Sequence, residues 1–216
     1  SRAKCLLVVG HSEYWTHRMR VNIETALASG MHLFVLGGNT CYWQIRLHGS
    51  TIVGYKGVDD PVQDPSSTSA RFRDIGNPEA ELVGASYNGV VGMTAISDLV
   101  IADAPEWMLQ GTVLRKGDVL PGVFGYESEA MTSDTPSQAV AWAASPFTEH
   151  GTGVSKTGHS VWFETGTSTK SLVVSTGCSN WAYGLDSTGY LPGPPVESEN
   201  VKQITRNILR AMSVPK

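Results

Sequence analysis

The stretch that decides the fold is Cys5–Trp43, which reads CLLVVGHSEYWTHRMRVNIETALASGMHLFVLGGNTCYW. Its two apolar runs, Cys5–Val9 and Leu33–Leu36, are continuous rather than alternating, which is typical of buried parallel strands. Between them, Thr16 can cap a helix and Gly30 can end it. A strand, a helix and a strand of this length form a βαβ unit, whose right-handed crossover makes the two strands parallel. The predicted inner face of the helix consists of Met19, Ile23, Ala26 and Leu27.

A polar, aromatic segment follows each of the two predicted strands. These segments are residues 10–15, GHSEYW, and residues 37–43, GGNTCYW. Because parallel strands end at the same edge of a sheet, both segments are expected at the carboxyl edge, where open α/β sheets build their sites. The side chains expected to converge there are His11, Glu13, Tyr14, Asn39 and Tyr42.

The composition predicts a globular α/β protein with a full hydrophobic core, organised as a single domain over residues 1–216. Charged residues make up 17% of the chain and hydrophobic residues 41%, with a formal net charge of −4. This charge gives no reason to expect nucleic acid or an acidic membrane surface as a partner. No apolar run approaches the roughly 20 residues of a membrane span. We therefore expect a cytoplasmic protein. Because the chain starts at Ser1, only a few residues before a predicted strand, we also expect it to be part of a longer protein. The upstream part of that protein is where a targeting signal would lie.

Further strands are predicted along the rest of the chain, and a helix is predicted at its end. The helix is capped by Ser198, and its predicted inner face is Val201, Ile204, Ile208, Leu209 and Met212. A long loop is predicted at residues 59–78, and an irregular turn is predicted at residues 192–195. The sequence of residues 138–144 fits either a strand or a helical turn. The predicted strands cover residues 44–47, 51–55, 98–101, 119–124, 160–164 and 171–175.

Five motifs, spread over nearly the whole chain, resemble one known family. They are GHSEYW, GGNTCYWQIR, GDVLPGVFGYESE, VVSTGCSNWAYGLDS and NVKQITRNIL. In this order they resemble the C-terminal domain of the large, or beta, subunit of N,N-dimethylformamidase and its relatives. The resemblance implies a three-layer, doubly wound, mainly parallel sheet of the class I glutamine-amidotransferase-like type, with added β-hairpins and long loops. It also implies an upstream β-rich region, a small partner subunit and an oligomer.

The resemblance further implies a mononuclear Fe(III) site held by Tyr14, Tyr42 and Glu127, and hydrolysis of a small amide such as N,N-dimethylformamide to formate and an amine. Three positions depart from the family pattern: Ser12 and Glu129 stand where the family usually has Asp, and Glu106 stands where it usually has His.

The chemistry of these residues suits such a site. Fe(III) is a hard cation that favours phenolate and carboxylate oxygens, and an open metal position can polarise an amide carbonyl or acidify water. His11 or Glu13 can serve as the acid and base that brings a proton to the leaving amine, and Asn39 can donate a hydrogen bond to the substrate oxygen. Glu13 can instead orient a neighbour.

Several other interpretations remain open from the sequence. The domain is alternatively a non-catalytic binding or subunit-contact module, with its tryptophans and tyrosines available to stack on sugars, or a cysteine amidase acting through Cys41. Glu164 either faces the site or is an exposed or paired carboxylate. Arg46 is a candidate partner for a site carboxylate. Arg71 and Arg73 either clamp an anionic product or solvate a loop.

Overall fold

The computed structural model describes residues 3–56, 59–166, 169–187 and 197–213, without the side chains of residues 93–95. The turn predicted at residues 192–195 lies outside these ranges. The helices are α1 (His17–Ala28), α2 (Glu79–Val83), α3 (Glu106–Leu109) and α4 (Glu199–Ser213). The strands are β1 (Cys5–Val9), β2 (Tyr14–Thr16), β3 (His32–Leu36), β4 (Trp43–His48), β5 (Thr51–Val53), β6 (Ser86–Ile101), β7 (Val119–Ala130), β8 (Val140–Thr148), β9 (Ser155–Thr165) and β10 (Ser171–Ser175). Short 3-10 helices cover Phe72–Ile75 and Ser179–Leu185.

The described strands form one large mixed sheet and one small sheet. The order in the large sheet is β1-β3-β10-β9-β8-β6-β7, and in the small sheet it is β2-β4-β5. Strands β1, β3 and β10 are parallel, which confirms the predicted βαβ unit. The expectation of a mainly parallel sheet is wrong, because β6 to β9 pair antiparallel with their neighbours. Residues 149–154 and 166–170, which separate β8 from β9 and β9 from β10, are too few for the crossover that a parallel pair requires.

Helices cover both faces of the large sheet, as a three-layer α/β protein requires. On one face, Phe34 and Val174 belong to a core completed by Ile204 and Ile208 of α4. On the other face, Leu33 and Val173 belong to a core completed by Leu27 of α1 together with residues of α2. Alternate residues of β3 and β10 thus face opposite cores, which explains why both strands are buried along their whole length. The closer likeness to a glutamine-amidotransferase fold stays a prediction.

The predicted helix ends are confirmed, but the predicted inner faces are wrong at two positions. Thr16 Oγ1 accepts a hydrogen bond from the Met19 backbone N–H at 3.1 Å, and the backbone φ of Gly30 is +92° after the end of α1. Met19 is 46% exposed and Leu209 is 38% exposed, so neither joins a core. The buried residues of α1 are Arg20 and Leu27, and the guanidinium of Arg20 donates to the Pro78 carbonyl at 3.1 Å, which ties the helix to the segment before α2.

Strand β1 lies at the edge of the large sheet in the described part of the chain. Leu7 and Val9 are exposed, so the prediction of a fully buried strand holds for β3 and is wrong for β1. Within the described ranges, no helix has the length and apolar character needed to cross a membrane.

Candidate metal and hydrolytic site at the carboxyl edge of the sheet

Three chain segments meet where β1, β3 and β7 carry their polar residues, and two adjacent glycines allow the approach. A β-carbon on Gly37 would collide with the backbone oxygen of Gly10. A β-carbon on Gly38 would collide with the backbone oxygen of Glu127 and lie 3.2 Å from the Cα of Cys178. The absence of side chains at these two positions therefore brings the segment after β3 against both of its neighbours.

The turn after β3 is strained and firmly held. Asn39 and Cys41 adopt left-handed φ angles of +55° and +56°, which non-glycine residues rarely adopt. The Cys41 N–H donates to the Ser12 carbonyl, and the Tyr42 N–H donates to the Glu13 carbonyl, each at 2.9 Å. These bonds start the pairing of β2 with β4, in which Tyr14 lies opposite Trp43. The backbone thus fixes the positions of both tyrosines.

Glu127 is the most enclosed of the predicted ligands. Its Oε1 accepts a hydrogen bond from Asn39 Nδ2 at 3.2 Å, and its Oε2 forms an ion-pair contact with His11 Nε2. Both Glu127 Oε2 and Asn39 Oδ1 are buried, and among the described residues neither has a hydrogen-bond partner of ordinary geometry. Burial raises the pKa of Glu127, while His11 and Asn39 oppose that rise. The site therefore holds a carboxylate whose charge is only partly compensated.

Tyr14 lies at the exposed side of the same cluster. Its hydroxyl contacts Lys56 Nζ, which also lies 4.5 Å above the Tyr14 ring and 3.6 Å from Glu13 Oε1. Desolvation raises the pKa of Tyr14, and the hydrogen bond from Lys56 works against it. Glu13 in turn lies 3.8 Å from His11, which connects the Tyr14 side of the cluster to Glu127.

Tyr42 lies between Tyr87 and two arginines. Its ring is 5.2 Å from the ring of Tyr87, and the guanidinium of Arg73 is 5.1 Å from its centroid. The pKa of Arg71 is raised mainly by its hydrogen bonds to Asp74 and, to a smaller extent, by a hydrogen bond to the hydroxyl of Tyr42. Burial, followed by the charge of Glu127, raises the pKa of Tyr87 to about 12. Tyr87 thus packs against the ring of Tyr42 and also experiences the charge of Glu127.

The structure brings the six sequence-predicted site residues to the carboxyl edge, where they are joined through shared neighbours. His11 contacts both Glu13 and Glu127, and Tyr42 packs against Tyr87, whose pKa is raised in part by the charge of Glu127. In the part of the chain that the structure describes, no group of three or more His, Cys, Asp or Glu side chains is arranged to hold a metal. Of the three predicted iron ligands, only Glu127 is one of these four residue types, because the other two ligands are tyrosines. The predicted iron ligands therefore stay a prediction.

Other sequence-level candidates lie elsewhere or have different partners. Glu164 is near the end of β9, which runs antiparallel to β10, so it lies beside Leu172 at the opposite edge of the sheet. Arg46 pairs with Asp60, a loop carboxylate outside the predicted site. The two loop arginines are paired as well: Arg71 with Asp74, and Arg73 with Glu79.

Cys41 is unsuited to act as a nucleophile. Its side chain is fully buried among the residues of the α1-side core. Burial raises the pKa of its thiol to about 12, so the thiolate is scarce at neutral pH. These properties argue against the cysteine amidase alternative.

Sequence reasoning missed three residues that belong to this region: Lys56, Tyr87 and Glu129. Lys56 and Tyr87 lie in segments with no local signal for a site. Glu129 is fully buried, accepts a hydrogen bond from the Thr40 N–H at 2.8 Å and another from the Ser175 hydroxyl at 3.2 Å. The two-residue spacing from Glu127 on one strand was the available signal, since such residues share a face.

A cleft of about 740 Å³ opens beside Tyr42. We call it the Tyr42 cleft; its walls include Tyr42, Trp43, Tyr55, Asp60, Gln63 and Arg71. Tyr42 and Arg71 line the cleft, and Tyr42 is also one of the predicted ligands of the candidate site. The cleft therefore adjoins the candidate site.

The fold and the site define a mixed α/β protein with a hydrogen-bonded cluster of phenol, imidazole and carboxylate groups at the carboxyl edge of its sheet. The chain belongs to the family described as N,N-dimethylformamidase beta subunit-like, C-terminal, whose model matches residues 1–197. No curated protein matches the chain significantly.

Proposed function

We propose that this chain is the Fe(III)-holding domain of an amide hydrolase that cleaves the C–N bond of a linear amide. Membership of a dimethylformamidase-like family supports a hydrolase context. The observation that carries the proposal is the buried Glu127 carboxylate, whose Oε2 lacks an ordinary hydrogen bond within a cluster that also holds two tyrosines.

The residues present fit a trivalent cation. Tyr14, Tyr42 and Glu127 offer hard oxygen donors, which suit Fe(III). The buried Asn39 Oδ1 has no hydrogen-bond partner within the described residues, and the buried Glu127 Oε2 has the His11 contact alone, so the site offers oxygen atoms that a cation would satisfy. A cation would also oppose the desolvation that raises the pKa of Tyr14 and of Glu127. When bound, Fe(III) supplies Lewis acidity that polarises a carbonyl and lowers the pKa of water.

The chain's own side chains would then position groups and move protons. Asn39 holds Glu127 through one N–H and keeps a second amide N–H for a substrate oxygen. His11, which lies between two carboxylates, is placed to take a proton from water and return it to the departing nitrogen. In the reaction, water adds to the carbonyl carbon, the C–N bond breaks, and the products are a carboxylic acid and an amine.

We further propose that the chain works as one part of a larger assembly, because the family is described by a beta subunit. Small amides are its proposed substrates, and the remaining domains and a small subunit its proposed partners.

Elemental analysis and visible absorption test this proposal together. The purified protein should contain about one iron per chain and show a phenolate-to-iron charge-transfer band. Tyr14→Phe and Tyr42→Phe should each weaken that band and lower amide turnover by about 100-fold or more. Tyr183→Phe is the matched control, since Tyr183 lies in the 3-10 helix Ser179–Leu185, whereas Tyr14 lies in β2 and Tyr42 directly precedes β4. An iron-free protein that hydrolyses amides equally well with Phe at position 14 would refute the proposal.

A further inference from the structure

The Tyr42 cleft is much larger than the small amide for which the family is named. Its volume of about 740 Å³ lies within the roughly 300–1,000 Å³ of pockets that enclose drug-sized ligands. N,N-dimethylformamide carries only methyl groups on its nitrogen and would leave most of this space to water. The size of the cleft therefore favours a larger substrate.

The rings that line the cleft favour a flat, apolar group. The Tyr42 and Trp43 rings meet edge to face at 5.5 Å, and the Arg46 guanidinium lies 5.5 Å from the Tyr55 ring centroid. These contacts hold the rings in place, so a ligand ring can pack on them at little cost in side-chain order.

The charges of the cleft disfavour an anionic ligand. Asp60 is paired with Arg46, and Asp74 is paired with Arg71 through hydrogen bonds of 2.6 and 3.0 Å. The side chain of Gln63 supplies neutral polar atoms at the rim. Asp59, a further carboxylate of the walls, takes part in no ion pair within the described residues, so the walls keep a net negative charge that would repel an anionic substituent.

We propose that the Tyr42 cleft binds the ring-bearing substituent of a neutral N-arylalkyl amide, and that such amides are the preferred substrate class of this chain. This inference rests on the proposed function, since Tyr42 is placed both in the cleft and among the metal ligands. The reaction consumes one water and breaks the C–N bond, which releases the carboxylic acid and the ring-bearing amine.

Calorimetric titration of the full chain tests the inference without iron or turnover. N-benzylformamide should bind at least tenfold more tightly than N-methylformamide. Tyr55→Ala should weaken N-benzylformamide binding by about fivefold or more, because it removes one wall. Tyr183→Ala, which changes a tyrosine outside the cleft, should leave the affinity within twofold of the parent. Ala70→Trp provides a second variant, which fills the cleft instead of emptying it and should block the ligand.

Equal affinity for the two formamides would overturn the inference, as would unchanged binding in both Tyr55→Ala and Ala70→Trp. Preferential binding of methyl glucoside, sensitive to the same variants, would also overturn it and assign the cleft to sugars. The proposed function fails separately: it fails if the iron-loaded chain binds N-benzylformamide but hydrolyses no amide. If dimethylformamide is hydrolysed but N-benzylformamide is not bound, the function stands and the inference about the cleft fails.

Discussion

Asn39 Nδ2 donates a hydrogen bond to Glu127 Oε1 at 3.2 Å, which joins the strained turn after β3 to strand β7. The two residues are 88 positions apart in the sequence. Together with the contact between His11 and Glu127, this bond connects the polar segments of the βαβ unit directly to the predicted carboxylate ligand. It makes the backbone conformation of one turn a determinant of where Glu127 points.

Replacing Asn39 should separate the effect of strain from the effect of this hydrogen bond. Asn39→Ala keeps a β-carbon at a φ of +55° and loses the amide, so we expect the free energy of unfolding to fall by about 1–3 kcal/mol. Asn39→Gly relieves the strain and should cost less. Both variants remove a bond that lowers the pKa of Glu127, so that pKa should rise. Urea unfolding and NMR titration measure the two effects, and equal stability of the Ala and Gly variants would contradict the strain argument.

Gly38 should tolerate no side chain. In Gly38→Ala the new β-carbon would collide with the Glu127 backbone oxygen, so we expect a loss of at least about 2 kcal/mol in unfolding free energy and a displaced Glu127. Gly54→Ala is the matched control, because a β-carbon there would meet only the Ile45 side chain at an ordinary 3.6 Å. Denaturation curves of the two variants make the comparison. A Gly38→Ala protein as stable as Gly54→Ala would show that the segments do not approach so closely.

Glu129 should make the metal-free protein less stable as the pH rises. Burial raises its pKa from 4.5 to about 8 in the folded protein. The folded state therefore holds a proton that the unfolded state releases, and stability falls as the pH rises through this window. Glu129→Gln removes the ionisation, so its stability relative to the parent should increase by about 1 kcal/mol or more between pH 5 and pH 8.

Thermal unfolding at a series of pH values measures this dependence, and Glu149→Gln is its control. Lys156 lowers the pKa of Glu149, so that carboxylate contributes stability above its unfolded pKa, and this stability is lost as the pH falls. Its replacement should therefore destabilise the protein at pH 8, opposite in sign to Glu129→Gln. A parallel pH profile for the parent and Glu129→Gln would show that Glu129 is ionised in the folded state.

Thiol reagents should leave the native site untouched. Cys41 and Cys178 are fully buried, and burial raises their thiol pKa values to about 12 and about 11. We expect iodoacetamide to modify neither thiol at neutral pH in the folded protein, whereas partly exposed Cys5 should react slowly. Mass spectrometry after timed alkylation gives the modified positions. Rapid loss of activity together with labelling of Cys41 would restore the cysteine amidase alternative.

Much of the local structure was predictable because it depends on short-range chemistry. Thr16 and Ser198 cap their helices as predicted, since an N-cap hydroxyl needs only the backbone of the next turn. Strands β1, β3 and β10 were predicted from apolar runs alone, although only β3 and β10 are buried along their whole length. The inner faces of α1 and α4 failed at Met19 and Leu209, because periodicity marks a helix face but not how far the neighbouring layer extends.

The candidate site was predictable only in part. The sequence identified residues that follow strands, and this located His11, Tyr14, Asn39 and Tyr42 at one edge. It did not identify Lys56, whose contact with Tyr14 depends on how residues beyond the β4–β5 hairpin return to the site. It also left Arg46 free to reach the site, whereas the structure pairs it with Asp60.

The order of apolar and polar residues in Cys5–Trp43 determined, without any further information, a βαβ unit with its chemistry at the carboxyl edge. The reason is that strand pairing and crossover handedness follow from backbone geometry common to all such units. Only the tertiary structure decided that β6 to β9 pair antiparallel with their neighbours, that Gly37 and Gly38 bring three segments together, and that Glu127 meets Asn39 and His11. These are contacts between residues distant in the chain, and their geometry depends on the packing of whole layers, which no local pattern encodes.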